Sequence, residues 1–147
     1  MSQGIANSAD AEIILKLYEL RTETVMRQAR AWLTGEFWPG SADEFFEVLH
    51  DSGSQRNAWL TQVVSYWEMA ASLVLHGALS ADLFVDCNPE PLYILAKLAP
   101  ILPEIHAKAP TYFSKTLRLI ESNPAAATRY EVTKKNVESA RAARNAL

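Results

Sequence analysis

The stretch Gln55 to Gly77, QRNAWLTQVVSYWEMAASLVLHG, constrains this chain more than any other segment. It is the longest apolar run, and between Arg56 and Asp82 only Glu68 carries a formal charge. A carboxylate in such company faces water, finds a partner or takes up a proton, because burying it unpaired is costly. At about 100° per residue, Thr61, Ser65, Glu68, Ser72 and His76 return to one arc of about 80°. Trp59, Leu60, Val63, Val64, Tyr66, Trp67, Met69, Leu73 and Val74 cover most of the remainder. The stretch therefore reads as a central helix over about 55–76 with one polar seam, closed by Gly77 as a C-cap. The seam faces water, an arginine of the first helix, or a ligand. Because it runs the length of the segment with Glu68 at its middle, a membrane span is not expected.

The rest of the chain reads as helix and turn. A first helix is expected from Ser8 or Asp10 to about Trp32 or Leu33, with Ile14, Leu17, Tyr18, Val25, Ala29 and Trp32 on its inner face and Glu23 paired with Arg27. Gly35 and Pro39-Gly40 end it, and Phe37 with Trp38 forms an aromatic plug over the core. Ser41-Ala42-Asp43-Glu44 is a capping-box pattern opening a short helix that buries Phe45, Val48 and Leu49. Further helices follow over Ser80 to about Cys87, Glu90 to Leu98, Pro110 to Ser122, and Pro124 to about Ala143. Pro100 and Pro103 bracket a kinked segment. Residues 1–8 and about 138–147, poor in large apolar side chains, are expected to fray.

The 147 residues, 49% of them hydrophobic, suffice for one domain with a real core. Low Gly and abundant Ala, Leu, Glu, Lys and Arg favour helix over strand. The expected fold is all-α: a single-domain bundle of six or seven helices around the central hydrophobic one. The lone Cys87 forms no internal disulfide, and MSQGIANSAD has neither a basic leader nor an apolar core, so a cytoplasmic protein is the expectation.

Trp59 to Asp86, WLTQVVSYWEMAASLVLHGALSADLFVD, together with the Phe37-Trp38-Pro39 turn, resembles a group of small, uncharacterised bacterial all-helical proteins. The resemblance implies a helical bundle and brings no activity, cofactor or site with it.

Charge is unevenly spread. Residues 1–35 balance at four basic and four acidic side chains; residues 36–104 hold two basic against ten acidic, and residues 105–147 eight basic against three acidic. The middle is thus at −8 and the last third at +5, which points to contact between them within the chain or between subunits. No nucleic-acid partner is expected, since Glu121, Glu131 and Glu138 dilute the basic third and no binding motif accompanies it.

No constellation compels chemistry. Glu47 and His50 form one Glu-x-x-His pair, whereas a di-iron bundle needs two such pairs and two more carboxylates, so no metal or other cofactor is expected. Glu68 and His76 are eight residues apart, about 12 Å along a helix, too far for a direct hydrogen bond. Phosphate-loop, nucleotide and zinc motifs are missing from the sequence. The leading expectation is a non-enzymatic interaction or scaffold module that pairs with itself or another protein. The alternative is a helical bundle binding a small molecule or acyl chain, with Trp38, Trp59, Tyr66 and Trp67 lining a pocket and Glu68 fixing a polar head. A carboxylate-type metal enzyme is third.

Overall fold

The structure is a computed structural model that describes residues 5–147. The expected fraying of residues 1–8 therefore falls partly on residues 1–4, outside the described residues. Within them the chain is all-helical: α1 (Ser8–Arg21), α2 (Thr24–Ala31), a π-helical turn (Trp32–Glu36), α3 (Ala42–Leu49), α4 (Gln55–Leu75), α5 (Ala81–Cys87), α6 (Glu90–Leu98), α7 (Leu102–Lys108), α8 (Ser114–Ser122) and α9 (Pro124–Asn145).

The nine α-helices among the described residues exceed the six or seven expected because one helix is divided and a kinked segment is a helix in its own right. The division is at Thr22–Glu23. Thr22 Oγ1 donates to the Glu19 carbonyl at 2.7 Å, and the Glu23 carboxylate accepts from Met26 N at 3.0 Å. Glu23 is thus the N-cap of α2 instead of an ion-pair partner for Arg27, and these backbone hydrogen bonds hold its carboxyl below its usual range. The bend rotates the second half, so that Met26 is buried and Val25 is exposed; Tyr18, before the bend, is exposed as well. The cap of α1 is Asn7, not Ser8 or Asp10: Asp10 N donates to its Oδ1 at 3.1 Å, and Asn7 N donates to Asp10 Oδ2 at 2.8 Å. The second extra element, α7, starts at Leu102 with Pro103 in its first turn, where proline removes no helical hydrogen bond.

Around α4 lie α2, α3, α5, α8 and the π-helical turn, while α9 packs along α6 and α8. The molecule thus has two packed groups sharing α8. Leu60, Val63, Trp67 and Ala70 of α4 are fully buried, as is Leu95 of α6. Phe37 seals the core by stacking on Trp32 with ring centroids 4.8 Å apart, whereas its neighbour Trp38 lies only half-buried. In α3 the buried residues are Ala42, Phe45, Phe46 and Val48, and Leu49 is half-buried. Instead of loosening from about residue 138, α9 continues to Asn145, held by buried Val137 and by Arg141, whose Nη2 donates to the Lys97 carbonyl at 2.6 Å.

Candidate functional site

The seam on α4 divides. Thr61, Ser65 and His76 are exposed and Ser72 is half-buried, but Glu68 is only 9% exposed. His76 and Ser72 form a local pair at the helix end, with His76 Nδ1 2.9 Å from the Ser72 carbonyl. Glu68 points to the start of α8. Its Oε1 accepts from Lys115 N at 3.0 Å; its Oε2 accepts from Thr116 N at 2.8 Å and from Thr116 Oγ1 at 2.9 Å. A helix leaves its first N–H groups without intrahelical partners, and its N-terminus favours negative charge. Glu68 meets both needs from another helix. Phe113 precedes that turn in the left-handed region, with φ 53°, and lacks a side chain able to cap. The Tyr112 hydroxyl, buried within the electrostatic reach of Glu68, has no hydrogen-bond partner among the described residues, and burial pushes its phenol upward.

The four aromatics proposed as a pocket lining are dispersed. Trp67 is fully buried and donates through Nε1 to Glu90 Oε1 at 3.2 Å. Tyr66 donates to the Leu17 carbonyl of α1, and burial pushes its phenol up to about 12. Trp59 leans on Trp32 at 5.9 Å, and Trp38 sits on the side facing α6 and α9. A shallow groove of about 580 Å³ lies elsewhere, between α5 and the start of α9, lined by Ser80, Asp82, Asp86 and Arg129 among others. Glu47 is exposed, and the His50 ring stacks on Phe46 at 5.2 Å. Among the described residues no three His, Cys, Asp or Glu side chains are grouped to hold a metal ion.

Near Trp67 a polar network joins α1, α2, α5 and α6. Arg30 Nε donates to both Glu90 oxygens, at 3.0 and 2.9 Å, and Arg30 Nη1 donates to the Arg21 carbonyl at 3.3 Å. Arg21 Nη1 donates to Oδ1 of the buried Asn88 at 3.1 Å, with its guanidinium 5.0 Å from the Tyr18 ring. The ends of α1 and α2 are thereby tied to the start of α6.

The site that sequence reading missed is built around Lys97. Phe37 N donates to the Trp32 carbonyl at 3.0 Å, an i to i+5 bond that makes the end of α2 a π-turn. Such a turn leaves the following carbonyls pointing outward without helical partners. Side chains from α6 and the turn take them. Lys97 Nζ donates to the Leu33 and Thr34 carbonyls at 2.6 and 3.2 Å, Tyr93 OH donates to Thr34 at 3.2 Å, and Trp38 Nε1 donates to Gly35 at 3.2 Å. Lys97 is 3% exposed. Its Nζ lies 4.4 Å from the Trp38 ring centroid, and the guanidinium carbons of Arg141 and Arg144 lie 5.4 and 5.6 Å from the same centroid. Burial, reinforced by the charges of Arg144 and Arg141, lowers the Lys97 amine to about 7. The signal in the sequence was that Lys97 is the sole Lys or Arg between Arg56 and Lys108 and stands among Leu92, Ile94, Leu95 and Leu98.

The model of one protein family, described as a domain of unknown function (DUF4760), matches residues 6–122, and the chain belongs to that family. No curated protein and no solved structure matches it. The matched span includes Glu68, Trp38 and Lys97 and stops before α9, which supplies Arg141 and Arg144. No helix among the described residues is long and apolar enough to cross a membrane.

Proposed function

We propose that this member of the DUF4760 family is a non-enzymatic, cytoplasmic interaction module that pairs with a second copy of itself through opposite charge. One observation carries the reading: among the described residues a single ion pair, Arg129 Nη2 to Asp86 Oδ1 at 3.3 Å, joins the acidic middle to the basic last third. Exposed charge in both segments, at Glu36, Asp43, Glu47 and Asp51 and at Lys115, Arg118 and Lys135, has no ion-pair partner among the described residues. Asp43, Glu44 and Glu47 stand exposed on one side of α3, with Glu36 and Asp51 flanking that helix. Lys115 and Arg118, three residues apart on α8, and Lys135 on α9 are exposed on the basic side. Opposed patches of this kind accelerate association and set its register, and salt weakens them. The two internal constellations support the reading in another way. Glu68 and Glu90 have their oxygens occupied by donors from neighbouring helices, as a framework residue does.

Size exclusion with light scattering at about 20 mM and 500 mM salt tests the proposal. The expected result is a dimer or larger species at low salt that dissociates at high salt. Glu47→Lys should weaken it and Arg118→Glu in the same chain should restore part of the association. A monomer at every salt and protein concentration would overturn the reading.

A further inference from the structure

We propose that Lys97, Arg141 and Arg144 form, around Trp38, a binding site for a phosphate-type oxyanion. Three cationic groups gather at one indole, and among the described residues none of them makes an ion pair with a carboxylate. Placing like charges this close is unfavourable unless something negative answers them. Part of the answer is internal. The Lys97 ammonium meets the orphan carbonyls of the π-turn, and Arg141 meets the Lys97 carbonyl in the last turn of α6. Those carbonyls are dipoles, equivalent together to a fraction of one charge, set against two guanidinium charges and the Lys97 amine.

The site has a floor and an open side. Lys97 is buried, Arg141 and Trp38 are half-buried, and Arg144 is exposed. Arg141 and Arg144 are three residues apart on α9, hence on one face of that helix. The Arg144 guanidinium makes neither a hydrogen bond nor an ion pair among the described residues; its contact is with the Trp38 ring. Its donors are therefore available to a ligand. Guanidinium groups match tetrahedral oxyanions through paired N–H bonds, and a half-buried setting strengthens the attraction. The shared chemistry is the phosphoryl dianion, either free phosphate or a phosphate monoester.

Thermal unfolding in inorganic phosphate or glycerol phosphate, each against sodium chloride of equal ionic strength, tests it. The expected result is a Tm raised by several degrees at millimolar phosphate, saturating with concentration, and a response lost in Arg144→Gln. A response to both probes admits monoesters; a response to phosphate alone assigns the free ion. Because Arg144 is exposed, that variant retains the fold, and ³¹P line broadening read on both proteins gives a second measure independent of unfolding. A parent response no larger than that of chloride, or an undiminished response in Arg144→Gln, overturns the proposal.

Discussion

Glu68 and Lys97 are opposite solutions to one problem. Each is a buried charge on a helix that faces the end of a different helix, and each has the sign which that end favours: negative at the N-terminus of α8, positive at the C-terminus of the α2 and π-turn run. Glu68 is closed. Three donors reach its two oxygens. Lys97 is crowded by two further cations, so its surroundings hold an excess of positive charge. A buried charge that is fully answered fixes architecture; one left in excess creates a potential that acts on other molecules.

Glu68→Ala leaves two backbone N–H groups and the Thr116 hydroxyl without acceptors, and loss of about 3–5 kcal/mol is expected in urea unfolding. A loss below about 1 kcal/mol would show that α8 needs no help from α4.

The second difference is in pH. The unfolded amine of Lys97 titrates at its ordinary 10.5 and the folded one at about 7. Between those values the unfolded chain binds more protons, so the Lys97 contribution makes stability rise with pH. Below about pH 7 both states are protonated and the cost of burying the charge is fully present. The neutral amine keeps two N–H donors for the Leu33 and Thr34 carbonyls, so deprotonation leaves that contact intact. Denaturation across pH 6 to 10 should show a rise approaching about 1.4 kcal/mol per unit from this group, absent in Lys97→Met. Equal slopes in the two proteins would remove Lys97 as its source.

The smallest expected effect is that of Arg144→Gln on stability without added anion. The Arg144 side chain is exposed and touches only a ring face, so a change within about 0.5 kcal/mol is expected in urea. A loss above about 1.5 kcal/mol would mark it as a structural clamp.

How much of this was legible depends on where the partner lies. The central helix was expected over about 55–76 and runs Gln55–Leu75, because its apolar pattern and flanking caps are local signals. Glu68 was singled out by its isolation in an apolar run. Its partners were not readable, since they are mainly backbone N–H groups 47 and 48 residues away, and every residue but proline carries one. The seam misled because periodicity reports direction around a helix and not what occupies that direction. The first helix was read as continuous because Ile14, Leu17, Tyr18, Val25, Ala29 and Trp32 recur at three and four, a spacing that carries across Thr22–Glu23, and only the bend shows Glu23 as a cap. Lys97 was counted as charge and passed over as position. Its site needs the π-turn, α6 and α9 together, a juxtaposition of residues 33, 97 and 141 that no spacing encodes.

The first turn of a helix ordinarily frays, and its amide protons exchange with solvent quickly. In α8 that turn is held by a side chain of α4, the helix around which α2, α3, α5 and α8 pack. The Lys115 and Thr116 amides are consequently expected to exchange more slowly than those at an uncapped helix start, because their release requires Glu68 to leave its buried position between α4 and α8.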